Sequence, residues 1–216
     1  MASRKSLFDC FSGKLGNVVL YTRFGKGFVR MCPTRVNNPR TELQMFYRAR
    51  LRRVNTFYSA VRQTPLAEIW RAAAREVNTG ANVLFNKMNI RAFNGEKGIF
   101  YDRLHFTAGS LPLAEEMRVR RLSEREVLLT WKNIVVLNKD RKWDRLLVVV
   151  MMENDLFDVI LPKVPGSMRW DEKVVVCLPE GTKEVKYLYC AFVSGNWDKC
   201  SDNQFLEIPD SAESVR

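Results

Sequence analysis

Hydrophobic positions along the chain follow two different periods, and the change falls near residue 110. From residue 38 to residue 93 the apolar residues recur every three or four positions, which is the spacing of amphipathic helices. From residue 117 to residue 208 they alternate or form short runs between turn residues, which is the pattern of β-strands. The pattern therefore predicts a helical region followed by an all-β region.

A β-hairpin is predicted ahead of the helices, over residues 11–33. Strand-forming residues at 17–22 and 28–32 flank a turn at 24–27 that contains two glycines. Gly13 and Gly16 precede the first strand and indicate a tight entry of the backbone into it.

Three helices are predicted next. The first begins with Asn38 as N-cap and Pro39 at the first helical position, and it runs to about Arg62. Its predicted apolar stripe is Tyr47, Leu51, Val54, Tyr58 and Val61. The second runs from Thr64 and Pro65 to about Asn78, and its predicted buried face is Ile69, Trp70, Ala73 and Val77. The third runs from Ala81 to Phe93, and its apolar residues are Leu84, Phe85, Met88 and Phe93.

Seven short strands are predicted after a glycine-containing connector at residues 95–116. They are residues 117–121, 126–132, 145–151, 156–161, 173–178, 186–194 and 203–208. This number of short strands, with turns between them, is typical of a β-sandwich. The predicted fold is an α+β N-terminal region (a β-hairpin plus three helices, residues 1–110) followed by an all-β sandwich (residues 111–216), of which residues 112–216 are expected to fold alone.

Charge is divided along the chain at the same point as the hydrophobic period. Residues 1–110 contain 19 Lys and Arg against 6 Asp and Glu, a net charge of +13. Residues 111–216 contain 16 against 18, a net charge of −2. Because the whole excess lies in the first half, we expect that half to contact an anionic partner, either nucleic acid or an acidic protein surface.

Catalytic chemistry finds little support in the composition. Because His105 is the single histidine, most acid–base mechanisms and catalytic triads are excluded. Its aromatic neighbours indicate a packed or surface residue. The five cysteines show no C-x-x-C spacing, so we expect reduced thiols and no zinc, although a Cys190–Cys200 disulfide stays open. We expect no enzyme activity, no cofactor, no metal and no membrane span, and no secretory signal is recognisable at the N-terminus.

Arginines in the first half are the candidate binding residues for nucleic acid or an acidic partner. Residues 43–67 contain no acid, whereas a solvated helix face normally mixes Glu with Arg. Arginine also outnumbers lysine there, which suits contacts to phosphate or carboxylate. The predicted set, with hairpin residues interleaved with Tyr21, Phe24 and Phe28, is Arg23, Lys26, Arg30, Arg40, Arg48, Arg50, Arg52, Arg53, Arg62, Arg71 and Arg75.

Residues 117–208 resemble a fibronectin type III module, through Leu-Thr-Trp131 and the run from Tyr187 to Phe192. The order of the whole chain resembles an uncharacterised bacterial and bacteriophage family. The shared features are a Gly-Lys-x-Gly-Asn opening at residues 13–17, an Asn-Pro-Arg-Thr-x-x-Gln segment at 38–44 and a Trp-x-Ala-Ala helix at 70–73. The resemblance implies this architecture, and some members of the family look like phage virion components.

The expected function is therefore that of a non-catalytic structural or assembly component, most plausibly of a phage-type virion. Its partners would be other protein subunits, in a homo-oligomer or a hetero-assembly, with nucleic acid as a further partner. It would be cytoplasmic on synthesis and then part of the virion. A standalone nucleic-acid-binding protein and a cytosolic enzyme with unrecognised chemistry are the alternatives.

Overall fold

The computed structural model describes residues 12–23, 25–35, 38–95, 98–133, 139–151, 159–162, 164, 166–178 and 185–209. The chain divides into two compact units, Met1–Glu42 and Leu43–Arg216. None of the helices within the described ranges is long and apolar enough to cross a membrane. Two features of the sequence interpretation, Phe24 and residues 156–158, lie outside these ranges.

The first unit contains a three-stranded antiparallel sheet, whose strands are β1 (Gly13–Leu15), β2 (Val18–Arg23) and β3 (Lys26–Met31). Pairing of Val18 with Met31 through Arg23 with Lys26 confirms the predicted hairpin. Strand β1 was not predicted. Gly16 and Asn17 form a tight turn between β1 and β2, and the φ of Gly16, +58°, is one that glycine adopts readily. Gly13 begins β1 and Gly16 lies in the turn after it, so the two glycines belong to a second hairpin, formed by β1 and β2.

Helices begin the second unit, and their bounds are α1 (Glu42–Arg62), α2 (Leu66–Glu76) and α3 (Ala81–Asn89). The predicted start of α1 at Asn38 is wrong, because Arg40 has a φ of +52°, a left-handed conformation that a right-handed helix does not contain. The start of α2 agrees more closely with the prediction, and the Thr64 hydroxyl accepts a hydrogen bond from the Leu66 N–H.

The buried stripe of α1 differs from the predicted one. Val54 and Val61 are buried as expected, but Tyr47 and Leu51 are exposed, and Phe57 takes the centre of the stripe. Phe57 packs against three aromatic rings, with centroid separations of 5.2 Å to Phe85, 6.0 Å to Phe93 and 5.2 Å to Phe106. This cluster, which includes residues distant in sequence, determines which face of α1 is buried.

The ends of α2 and α3 also differ from the predictions. Val77 follows the last residue of α2 and is exposed, whereas Ile69, Trp70 and Ala73 are buried as predicted. Helix α3 ends at Asn89 and continues as a 3₁₀ turn (Ile90–Ala92), so Phe93 is not helical. It starts a small hairpin of β4 (Phe93–Asn94) and β5 (Gly98–Ile99).

Seven further strands complete the second unit. They are β6 (Glu115–Arg121), β7 (Glu126–Lys132), β8 (Arg145–Met151), β9 (Val159–Ile160), β10 (Lys173–Cys177), β11 (Tyr187–Val193) and β12 (Gln204–Glu207). They form two antiparallel sheets with the orders β10-β7-β6 and β12-β11-β8-β9. The bounds of β7 and β8 are those predicted from the sequence, and the bounds of the other strands lie close to the predicted ones in their described parts.

The four-stranded sheet is buried on both faces. Leu146, Val148 and Val150 of β8 pack in a core with Val127, Leu129 and Trp131 of β7. The alternate residues Leu147, Val149 and Met151 pack in a second core with residues of α1, α2 and α3. The same alternation divides β11 between the two cores. Burial on both faces explains why β8 is a continuous apolar run.

The segment between the helices and the sheets is part of the second core and is more than a connector. Leu104, Phe106 and Ala108 are buried in it. The Asn203 side chain holds the segment, since its Oδ1 accepts from the Phe106 N–H (2.8 Å) and its Nδ2 donates to the Leu104 carbonyl (3.0 Å). Apolar contacts therefore continue across residue 110, and they argue against the independent folding that the sequence pattern predicts for residues 112–216.

Candidate anionic-partner interface

The three-stranded sheet of the first unit has two chemically different faces. Opposed residues of an antiparallel pair lie on the same face, so the register assigns each side chain to a face. The first, here the basic–aromatic face, carries Lys14, Val19, Tyr21, Arg23, Lys26, Phe28 and Arg30. The second, here the apolar face, carries Leu15, Val18, Leu20, Val29 and Met31, together with Thr22 and two glycines.

Tyr21 and Phe28 form the centre of the basic–aromatic face. Their rings stack across β2 and β3, with centroids 5.5 Å apart and an interplanar angle of 18°. They remain 39% and 42% exposed, which is high for aromatic side chains. The three hairpin residues proposed from the sequence, Arg23, Lys26 and Arg30, lie on the same face as these rings.

Charge on this sheet is of one sign. No Asp or Glu occurs between Asp9 and Glu42, whereas six basic residues do. Arg40, the last of the six, lies in the non-helical segment before α1 and is exposed. The described part of the first unit therefore presents a positive potential to solvent.

The arginines of α1 divide into two groups. Arg48, Arg52 and Arg62 are exposed, and their spacing places them on one face of the helix, here the arginine row. Arg48 and Arg52 line a shallow groove with polar neighbours that include Asn55 and Ser59. This face has the character expected of a surface for phosphate or carboxylate groups.

Arg50 and Arg53 instead hold the helix to the chain that follows α3. Arg50 Nη2 donates to the Ile90 carbonyl (2.6 Å), and Arg53 Nη1 donates to the Gly98 carbonyl (3.2 Å). The Arg53 guanidinium also lies over the Phe93 ring, 5.4 Å from its centroid. These contacts explain the presence of Arg50 and Arg53 structurally, although both arginines were proposed from the sequence as binding residues.

The two remaining predicted positions lie on α2. Arg75 occupies its last turn, as Arg62 does in α1, and a cation there interacts favourably with the helix dipole. Arg71 forms an ion pair with Glu68 on the surface of α2. The structure therefore brings six of the eleven predicted residues together in two groups, three on the small sheet and three on the exposed face of α1, and leaves Arg40, Arg50, Arg53, Arg71 and Arg75 outside them.

His105 is held by its backbone. Asn89 Oδ1 accepts from the His105 N–H (2.8 Å), and Asn89 Nδ2 donates to the His105 carbonyl (3.0 Å). Burial lowers the pKa of His105 below its usual 6.5, and Asp202 opposes this shift. In the part of the chain that the structure describes, no group of three or more His, Cys, Asp or Glu residues is placed to hold a metal ion. The four described cysteines, which include Cys190 and Cys200, are free thiols.

A buried ion pair was missed in the sequence interpretation. The Arg169 guanidinium is fully buried and donates to the carbonyls of Pro112 (2.7 Å) and Leu113 (2.8 Å). It lies 3.9 Å from the Asp144 carboxylate, whose pKa is raised by burial despite its two arginine neighbours. The two Nη2 hydrogen bonds tie Arg169 to the chain before β6, whereas Arg169 Nε and Nη1 and Asp144 Oδ2 are buried without a hydrogen-bond partner.

Two exposed tryptophans are each adjacent in sequence to a member of this ion pair. Trp143 and Trp170 are 67% and 60% exposed. Lys142 Nζ lies 3.9 Å from the centroid of the Trp170 ring. The Arg169 carbonyl, next to Trp170 in the chain, accepts hydrogen bonds from Trp131 Nε1 (2.8 Å) and Asn133 Nδ2 (3.1 Å). Large exposed aromatic residues of this kind are enriched at protein interfaces.

Taken together, the described elements define a mixed α+β protein with antiparallel sheets and a basic N-terminal surface. The chain belongs to DUF6266, a family of unknown function, whose family model matches residues 10–207. This agrees with the resemblance to an uncharacterised family. No curated protein and no solved structure matches the chain.

Proposed function

We propose that this protein is a non-catalytic structural or assembly component that attaches to an anionic partner through its basic N-terminal half. The exposed arginine row on α1 is the observation that carries the proposal. The acidic residue of α1 is Glu42 in its first turn, and residues 43–67 contain none. An arginine surface of this kind favours association with phosphate or carboxylate groups.

Strands β6–β12 are proposed to form an immunoglobulin-like, fibronectin type III-like sandwich. The division into sheets of three and four strands, with consecutive strands shared between the sheets, supports this interpretation. Trp131 supports it too, since this residue lies in the core between the sheets. In the assembly, the exposed Trp143 and Trp170 would contact a neighbouring protein subunit.

A phage-type particle is the proposed setting of the assembly, with homo- or hetero-oligomeric contacts to other subunits. This part of the proposal rests on the motif order shared with the bacterial and bacteriophage family. A standalone nucleic-acid-binding protein is the second candidate, and the aromatic rings on the basic face of the small sheet favour it.

The proposal is tested with two variants that each lose three positive charges, but at different places in the chain. The variant Arg48→Gln/Arg52→Gln/Arg62→Gln removes the arginine row, while Gln retains polarity and helix propensity. The matched control removes three exposed arginines of the second half, Arg118, Arg120 and Arg125. Both variants have the same net charge, so only the position of the lost charge differs.

Elution from a heparin column in a salt gradient measures attachment to a polyanion. We expect the arginine-row variant to elute at lower salt than both the parent and the control, with unchanged circular dichroism. Equal elution of the two variants would show that α1 is an ordinary solvated face and would refute the proposal.

A further inference from the structure

We infer that the basic–aromatic face of the three-stranded sheet binds single-stranded nucleic acid. This inference rests on the proposed function, because it names the anionic partner. Lys14, Arg23, Lys26 and Arg30 would contact phosphates, and the Tyr21–Phe28 pair would stack on bases. Both kinds of group lie on one face of one sheet, as the pairing register requires.

Charge alone would suit an acidic protein surface equally well, so the aromatic rings decide between the two partners. A carboxylate is negatively charged, and the face of an aromatic ring is also negative, so the two do not stack favourably. A nucleic-acid base presents an uncharged π-face that stacks on an aromatic side chain. Tyr21 and Phe28 lie between basic positions. Arg23 and Lys26 flank them on one side, and the row of Lys14, Val19 and Arg30 flanks them on the other.

The same rings favour a single strand over a duplex. In a duplex the faces of the bases are covered by their neighbours, and only edges and phosphates are accessible. A flat surface with exposed rings and surrounding cations is the arrangement that proteins use for unpaired strands. The sheet is short, with β2 and β3 of six residues each, so a few nucleotides would cover it.

The reverse of the sheet has different chemistry and supplies the control. Its apolar face carries Leu15, Val29 and Met31, all exposed, and offers nothing to a phosphate. Nucleic acid bound to this sheet is therefore expected to contact one face only. A substitution on the apolar face changes the sheet without changing the proposed contact surface.

Binding is measured by fluorescence anisotropy of the full chain with a labelled oligothymidylate of about 20 nucleotides, longer than the ~4–16 nucleotides a small single-strand-binding fold covers. A duplex of the same length and poly-glutamate serve as competitors. We expect the single strand to bind more tightly than the duplex. Poly-glutamate of equal charge should compete weakly, because it lacks bases.

Two variants of the basic–aromatic face separate stacking from charge. Tyr21→Val/Phe28→Val removes both rings but keeps strand-forming residues, and it should weaken binding about tenfold or more. Lys14→Gln/Arg30→Gln keeps the stacked rings, and it should reduce the slope of log K against log salt by about 1.4, or about 0.7 for each lost phosphate contact to a single strand. Met31→Gln, on the apolar face, should bind like the parent.

Several results would overturn the inference. An unchanged affinity of the valine variant, equal affinity for duplex and single strand, or equal weakening by Met31→Gln would each do so. Effective competition by poly-glutamate would indicate an acidic protein partner instead. If the arginine-row variant alone lost oligothymidylate and heparin binding, the sheet would be excluded while the proposed function stood. If the parent bound heparin but no oligothymidylate, the inference would fail by itself.

Discussion

Removal of the helical layer is expected to unfold the two large sheets. A fragment of residues 111–216 retains β6–β12 but lacks α1, α2, α3 and the packed segment around Phe106. The face of the four-stranded sheet that these elements cover would then meet water. Its fully or nearly fully buried large side chains are Leu147, Val149, Met151, Tyr189 and Val193.

The cost of this exposure is comparable with the stability of a whole domain. Full burial of one such side chain contributes about 1.5–3 kcal/mol, so exposure of five costs on the order of 10 kcal/mol. The free energy of unfolding of a domain is about 5–15 kcal/mol. Little or no stability would remain, although the changes of charge and period near residue 110 predict an independent domain.

Far-UV circular dichroism and urea denaturation of two fragments would test this expectation. Residues 111–216 should give no cooperative transition and should aggregate through the exposed sheet face. The control, residues 43–216, keeps the helices and should unfold cooperatively. A cooperative transition of the shorter fragment, with a midpoint close to that of the longer one, would refute the reasoning.

Two substitutions test the packing of the second unit by urea denaturation. Trp131→Ala should reduce the free energy of unfolding by about 3–5 kcal/mol, because the side chain is 3% exposed, whereas Trp170→Ala at an exposed site should change it by less than about 0.5 kcal/mol. Equal effects would contradict the strand assignment. Gly109→Ala should cost about 1–3 kcal/mol, because its Cβ would lie 2.0 Å from the Cys200 carbonyl oxygen. Gly195→Ala, which meets open space, is the control, and the same loss there would disprove the close approach.

The strands were predicted well because their signals are local. In β7, Val127, Leu129 and Trp131 alternate with more exposed residues, and in β8 an apolar run is bounded by a charged residue at its start. Such patterns are set by the faces of a single strand. Which layer covers the second face of β8 depends on residues as distant as Phe57 and Phe85, and a local pattern contains no such information.

Helix α1 shows where local reasoning fails. Two stripes with helical spacing compete on it, one through Tyr47 and Leu51 and one through Phe57. Both stripes fit the helical periodicity, and only the position of the aromatic cluster determines that the stripe through Phe57 is the buried one. The start of the helix failed for a different reason. Asn38 and Pro39 are good start signals, but the left-handed Arg40 lies between them and Glu42.

The arginines show the same limit for the candidate site. Arg48, Arg50, Arg52 and Arg53 are indistinguishable by composition, yet two of them face solvent and two hold backbone carbonyls at residues 90 and 98. A guanidinium suits both tasks, because its planar fork donates several hydrogen bonds and its face stacks on rings.

Replacement of all four arginines would therefore remove two structural contacts along with two surface charges. A loss of partner binding in that variant would have two explanations, since the helix would also be less firmly held to the chain after α3. Restricting the change to the arginine row, and separately to the basic–aromatic face of the small sheet, removes charge without removing these contacts. The net charge of the N-terminal half thus supports the proposal of an anionic partner, while the hydrogen bonds of Arg50 and Arg53 show that part of this charge also holds the fold together.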